Sequence, residues 1–227
     1  MLTLLNEKLP DLTDIQREQL ALYFDLLVKG NEQMNLTAIV SPEEAADKHF
    51  VDSLLALPYL QQFARCIDVG TGAGFPGIPL LIARPDLHMT LLDSLNKRVR
   101  FLEDTLQTLQ LHAQCVHARA EDAAKTAPHR EAYDIALSRA VAPLPVLLEL
   151  TAPFLKVGGV SICYKGKNAE EEIEAAKNAA DILRFSLSVV SFSMPYGERA
   201  LILAKKTAPT PKSYPRKAGE AARKPLS

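Results

Sequence analysis

The chain has 227 residues, 48% of them hydrophobic, and a formal net charge of −1 at pH 7, so it can bury a sizeable core as one domain with extensions. No apolar run approaches a membrane span, Met1 opens no signal-peptide pattern, and three cysteines without C-x-x-C spacing exclude a disulfide scaffold. Cys66, Cys115 and Cys163 each fall in a predicted strand, which suits buried apolar fillers in a reducing, cytosolic compartment.

Helices open the chain. Thr13 with Gln16 at the capping-box position, followed by Ile15, Leu20, Leu22, Tyr23, Leu26 and Leu27, predicts an amphipathic helix to about Lys29. A loop over residues 30–40 follows. Ser41-Pro42-Glu43-Glu44 then supplies a capping serine, a first-turn proline and a third-position acid. The second helix should run through His49 and Phe50 to about Leu57, where Pro58 stops it. No partner stands at ligand spacing from His49, so it reads as a helix residue packed at the domain edge.

From residue 65 strands and helices alternate, which argues for a doubly wound parallel sheet. An apolar run with Cys66, Ile67 and Val69 breaks into Gly70, Gly72 and Gly74, and a helical run opens on Pro76 and Pro79. Glycines let the backbone turn with φ > 0 and approach a ligand closely, while free N–H groups at the helix start favour its polar groups. A nucleotide-like cofactor is therefore expected at this loop. A second strand over residues 88–92 leads to Asp93, about 20 residues on, from which a carboxylate accepts both ribose hydroxyls of an adenosine.

The dinucleotide fingerprint needs a third glycine at position 75, where Phe75 stands, and this disfavours a nicotinamide oxidoreductase. A D-x-G-x-G-x-G run opened by Asp68 instead resembles the first motif of class I S-adenosylmethionine-dependent methyltransferases. That resemblance implies that the loop holds the methionine end of the cofactor.

Further along, Ser94 can cap a helix over residues 95–109, whose first turns carry Lys97, Arg98 and Arg100. A third strand covers residues 113–117. Past it, Ala120 and Glu121 can reach the cofactor from the side opposite Asp93, although acids also begin helices for dipole reasons. Strand four, residues 134–138, ends in Ser138-Arg139. Ligands bind outside the carboxyl ends of such strands, so Arg139 should project into the crevice beside the glycine loop; the alternative is a surface ion pair with a helix acid. A helix bounded by Pro143 and Pro145 runs to Phe154, and Gly158-Gly159 turns the chain into strand five, residues 160–164. Lys165 and Lys167 flank Gly166 at the same rim and suit a phosphate backbone. After a helix over residues 169–183, runs at 187–192 and 200–204 would pair antiparallel at the sheet edge.

The last stretch, from Lys205, holds seven Lys or Arg against Glu220 alone. A basic tail on a mildly acidic body fits a polyanionic partner, with Lys212, Arg216 and Lys217 as phosphate contacts, or else a solubilising tail. Pro209, Pro211, Pro215 and Pro225 with Gly219 exclude a continuous helix, so the tail should be extended and largely unpacked. Three parts are expected: a helical extension over residues 1–62, a cofactor-binding domain over 63–206 and a flexible tail over 207–227.

Several segments together are similar to one family. KGNEQMNLTAI near residues 29–39, KHFVDSL at 48–54, IDVGTGAGFPGIPL at 67–80, LLDSLNKRVRFL at 91–102, ARAED at 118–122, SRA at 138–140, YKG at 164–166, GERAL at 197–201 and the YPRKAGEAARKPL tail resemble the bacterial ribosomal small-subunit methyltransferase G, or glucose-inhibited division protein B, family. One departure is Gly30-Asn31 where the family usually has Trp-Asn. The resemblance implies a Rossmann-like class I fold and methyl transfer from S-adenosylmethionine to N7 of a guanine in 16S ribosomal RNA. Carried over by position, it implies cofactor contacts at Gly70, Phe75, Ala120, Glu121 and Arg139; the residues themselves add Gly72, Gly74 and Asp93. No catalytic base is expected, because guanine N7 has a free lone pair and loses no proton on methylation. No metal is expected either, since the five histidines are scattered. The rival reading is a non-catalytic RNA-binding module on the same scaffold.

Overall fold

The computed structural model describes residues 1–226. Four helical pieces come first: α1 (Leu2–Lys8), α2 (Asp14–Met34), α3 (Pro42–Ala45) and α4 (Asp52–Leu54), the last two joined by a π-helical turn over Ala46–Val51. The capping box at Thr13 and Gln16 forms as expected, and Ser41 Oγ accepts the Glu44 N–H. Gln16 also extends to the C-terminal carbonyls of Ile82 and Ala83, so the helix start is anchored to the sheet-covering layer. The expected stop near Lys29 is displaced. α2 continues through Gly30 to Met34 and ends on Asn35, whose N–H still makes the helical bond to the Asn31 carbonyl while its own left-handed backbone, φ 50°, turns the chain out of the helix. An interior glycine costs about 1 kcal/mol relative to alanine, but here it makes room: a Cβ at Gly30 would lie 2.7 Å from the Phe101 ring. α1 has no counterpart in the sequence reading.

Seven strands follow: β1 (Arg65–Val69), β2 (His88–Asp93), β3 (Gln114–His117), β4 (Tyr133–Arg139), β5 (Leu155–Gly166), β6 (Phe185–Met194) and β7 (Gly197–Lys206). They form one sheet in the order β3-β2-β1-β4-β5-β7-β6. The first five are parallel, and β7 runs antiparallel between β5 and β6. Strand order reverses between β1 and β4, which places the topological switch point at their carboxyl ends. β1, β2 and β4 are buried along nearly their whole length, as parallel strands covered on both faces must be. Cys66 and Cys163 are buried and Cys115 is half-buried; burial pushes the Cys66 thiol up to about 12.

Helices α5 (Gly77–Ala83), α6 (Asn96–Thr108), α7 (Ala120–Ala123), α8 (Leu144–Thr151), α9 (Ala169–Ala175) and α10 (Lys177–Leu183) connect the strands. One hydrophobic core joins α2, α5 and α6 to one sheet face, and a second joins α8 and α10 to the other. The single helix expected over residues 169–183 is divided at Ala176. Ser94 does not cap α6; the Leu95 N–H is satisfied instead by Asp93 Oδ1 at 2.9 Å. None of the described helices is long and apolar enough to cross a membrane.

The tail departs most from expectation. It packs along the body instead of lying free. Lys206 is buried and donates to Glu131 at 2.7 Å and to the carbonyls of Ala152 and Leu155. Thr210 is buried and joins the same Glu131 and Ala152. Arg216 grips Glu149, and a short helix α11 (Glu220–Arg223) follows. Prolines do prevent a long helix, but the segment lays a few specific polar anchors and the buried Ala221 on the body. Charge density alone did not reveal that these cations have acid partners on the body, Glu149 buried and Glu131 half-buried.

Candidate active site

Two acids at strand ends hold the glycine loop. Asp68 Oδ2 accepts from Thr71 Oγ1 at 2.7 Å and from the Gly77 N–H at 2.9 Å. Full burial raises its carboxyl to about 6 even so. Asp93 Oδ2 accepts the Gly72 N–H at 3.0 Å and meets Arg98 at 3.5 Å. From the N-terminal helices, the Tyr23 hydroxyl donates to the Ala73 carbonyl at 2.6 Å, so the extension directly fixes the loop.

The three loop glycines have different roles. All have positive φ, which side chains resist. A Cβ on Gly72 would meet nothing within 4 Å, so this position faces open space. On Gly70 it would lie 2.9 Å from Val141 Cγ2. On Gly74 it would strike Ile78 at 2.6 Å and the Tyr23 hydroxyl at 2.7 Å. Gly74 thus serves packing beneath the loop and lines neither cavity described next, which corrects its expected place among the cofactor contacts.

Two cavities open at the carboxyl ends of the strands and share Gly70, Arg98 and Ala140. The smaller, about 370 Å³, is lined by Asp93, Ala120, Glu121 and Val141, with Gly219 and Ala222 from the tail opposite. The larger, about 550 Å³, is lined by Gly72, Phe75 and Arg139 together with His49, Tyr196 and Arg199. S-adenosylmethionine fits this pair of cavities. In the smaller, Asp93 already accepts from the Gly72 and Leu95 N–H groups and from Arg98. Of a carboxylate's about four acceptor sites this leaves one for a ribose hydroxyl, not the two expected, while Gly72 leaves open space for the methionine end.

Arg139 reaches the crevice, and it also finds a helix acid. Its Nη1 donates to Asp52 Oδ2 at 3.0 Å, to the Lys48 carbonyl at 3.1 Å and to Ser53 Oγ at 3.3 Å. Its guanidinium lies 5.0 Å from the centre of the Phe75 ring. The ion pair is buried, not the surface pair weighed as the alternative: the Asp52 side chain is 2% exposed. Arg199 on β7 takes the other oxygen, Nε to Oδ1 at 2.6 Å. The Tyr164 hydroxyl donates to the Ser53 carbonyl at 2.6 Å, tying the same helical turn to β5.

His49 is not an edge residue. It stacks on Phe75 with ring centroids 4.2 Å apart and lines the larger cavity. Burial and then the neighbouring Arg139 charge lower its pKa to about 4, with Asp52 opposing. The neutral ring accepts at Nδ1 from Arg139 Nη2 at 3.5 Å, so Nε2 carries the hydrogen and donates to Thr37 Oγ1 at 3.0 Å. Sequence reasoning missed His49, Asp52, Tyr196 and Arg199 as site residues. A signal was present for the first two: three positions apart in KHFVDSL, they share a helix face.

The expected phosphate contacts divide. Lys167, Lys212 and Lys217 are exposed. Lys165 is not available, because its ammonium pairs with Glu172 at 2.6 Å and donates to the Ala142 carbonyl at 3.0 Å. Arg216 is likewise engaged, by a Glu149 whose side chain is 1% exposed. Both assignments are corrected by acids that the fold brings up from α8 and α9.

A family model described as rRNA small subunit methyltransferase G matches residues 16–202. The ribosomal RNA small subunit methyltransferase G of Desulfitobacterium hafniense is 49% identical over 220 residues, covering 95% of this chain and 92% of that protein. That of Desulforamulus reducens is 46% identical over 223 residues, covering 96% and 93%. Among solved structures, M. jannaschii TYW2 in complex with AdoMet superposes with a TM-score of 0.57 at 16% identity, covering 74% of this chain and 77% of that one. The [4+2]-cyclase SpnF superposes at 0.58 and 16%, covering 85% and 96%. At such identities the structural likeness establishes a shared Rossmann-like fold and no more.

Proposed function

This chain belongs to the rRNA small subunit methyltransferase G family, and from that premise and the site we propose that it transfers a methyl group from S-adenosylmethionine to N7 of a guanine in 16S ribosomal RNA. The observation that carries the reaction type is the pairing of a crevice that can take the cofactor with a histidine and an aspartate that are already engaged. Both nitrogens of His49 and both oxygens of Asp52 hold hydrogen bonds within the protein. Neither is poised to accept a proton, and methylation at N7 releases none.

When bound, S-adenosylmethionine supplies an electrophilic methyl group on a sulfonium. The protein's part is placement. Gly70, Gly72, Phe75, Asp93, Ala120 and Glu121 bound the cofactor; Gly72 gives it backbone room and Asp93 an acceptor for the ribose. Arg139, held in place by Asp52, supports the Phe75 face of the larger cavity, where the base enters. Holding the two reacting atoms in line can remove about 7–11 kcal/mol of a barrier. Lys167, Lys212 and Lys217 contact phosphates, and the substrate is the small subunit or its RNA in the cytoplasm.

The deciding experiment is transfer of labelled methyl groups to small ribosomal subunits lacking the modification, followed by mapping of the labelled base. Running naked 16S RNA, an assembly intermediate and finished subunits in parallel identifies the substrate form. Label at a position other than guanine N7 overturns the assignment. Binding of both cofactor and 16S RNA without transfer to any of the three favours the non-catalytic RNA-binding module instead.

A further inference from the structure

The smaller cavity has two walls of different origin. One is made by strand ends, with Asp93 after β2 and Ala120 and Glu121 after β3. The other comes from the far end of the chain, where Gly219, Ala221 and Ala222 face the same space. We propose that residues 216–222 form the outer wall of the adenosine subsite, so that the C-terminal segment is part of the cofactor-binding machinery. The proposal rests on the reading of this crevice as an S-adenosylmethionine site.

Two anchors hold this wall. Arg216 meets the buried Glu149 carboxylate through its backbone N–H at 3.0 Å, Nε at 2.9 Å and Nη2 at 2.5 Å. Three residues on, the Gly219 N–H donates to Glu121 Oε1 at 2.7 Å, and Glu121 itself is 7% exposed. The second anchor joins the wall to the acid expected to reach the cofactor from the side opposite Asp93. Just upstream, Arg130 steadies the approach by donating to the Tyr214 carbonyl at 3.0 Å.

Chain geometry serves the same end. Gly219 has φ +75°, and a Cβ there would meet nothing within 4 Å, so the backbone turns into α11 directly beside the cavity. The lining residues on this side are glycine and alanine, which leave width for a flat ring between them and the strand ends. A carboxylate as buried as Glu149 is costly without its cation, so the segment is fastened and is not an incidental cover. Losing the wall opens the adenosine side to water while leaving the glycine loop and the Arg139 cavity in place.

The test is calorimetric titration of S-adenosylmethionine into three full or shortened proteins: the wild type, a chain ending at Ser213, and Ala222→Trp. Ala222 is exposed in its short helix, so tryptophan there leaves the fold intact and obstructs the cavity mouth. The expected result is a Kd at least tenfold weaker for the shortened chain and at least threefold weaker for Ala222→Trp, the latter with the wild-type melting temperature. If the shortened chain does not fold, Ala222→Trp alone decides. Wild-type Kd in Ala222→Trp, or in a folded shortened chain, overturns the proposal. Failure of the wild type itself to bind S-adenosylmethionine overturns the underlying reading of the site, and the two failures are thereby told apart.

Discussion

Asp52 and Arg139 meet at 3.0 Å across the rim of the sheet, one carried by the N-terminal helices and the other by the end of β4. Because Asp52 also holds Arg199 at 2.6 Å, one carboxylate orders two cations at the larger cavity. Asp52→Ala should leave both guanidiniums without their partner and cost about 3 kcal/mol or more, the scale for breaking a buried pair. Urea unfolding measures this directly. A loss below 1 kcal/mol, roughly the value of a surface pair, means that the two arginines find other partners.

The pH dependence of stability carries two opposing signatures. His49 has a pKa of about 4 in the folded chain against an ordinary 6.5, so the unfolded chain binds the extra proton between those values and stability falls as pH drops through them. Asp68 sits near 6 against 3.8, so there the folded chain holds the extra proton and stability falls as pH rises through the window. Between about pH 4 and 6 the two offset each other. His49→Gln removes the first alone. Relative to wild type, its urea stability should decline more steeply as pH rises from 4 to 6, by at most about 3 kcal/mol at 1.36 kcal/mol per pKa unit. Parallel profiles for the two proteins dismiss this account.

Gly72 and Gly74 should respond differently to the same substitution. Gly72→Ala meets only the cost of a left-handed backbone, about 1–2 kcal/mol, and extends a methyl group into the cofactor's space. It should fold and bind S-adenosylmethionine more weakly. Gly74→Ala drives a Cβ into Ile78 and Tyr23 and adds about 1–3 kcal/mol of overpacking. Thermal melting with and without S-adenosylmethionine separates the two; equal melting temperatures for the variants contradict the assignment of roles.

Cations in the tail should differ in their effect on RNA binding. Lys212→Ala and Lys217→Ala each remove an exposed charge, and each should flatten the salt dependence of RNA affinity by about 0.9 log units per log unit of salt on a duplex. Arg216→Ala should leave that slope unchanged, because its charge is spent on Glu149, and should lower stability instead. A slope that changes only in the Arg216 variant reverses this division.

The alternating pattern after residue 65 made the sheet legible, because parallel strands buried on both faces read as short apolar runs between helices. The glycine loop and Asp93 were legible for a similar reason: their chemistry is local, set by spacing along one strand-loop-helix unit. What could not be read was pairing between distant segments. Arg139 carried a visible charge, but nothing local tied it to Asp52, and the tail's composition suggested freedom that Glu131, Glu149 and Glu121 take away. Lys165 failed in the same way, since Glu172 is close to it only after β5 turns into α9. Tyr23 read as one member of an apolar stripe, whereas its hydroxyl anchors the loop at Ala73.

The inserted position of β7 has a consequence for when this protein becomes competent during its own synthesis. β5 cannot gain its outer neighbour until residue 206 has been made, since β6 is passed over and paired only through β7. Arg199 joins Asp52 across 147 residues of sequence, and the Gly219 anchor reaches Glu121 across 98. Contacts of such separation form late and slowly. A nascent chain therefore holds the glycine loop and its acids well before either cavity is complete, with the apolar edge of β5 uncovered in the interval. Segments in that condition are the ones prone to wrong pairing and to chaperone capture, so early termination before β7 should yield insoluble protein, not a smaller working enzyme.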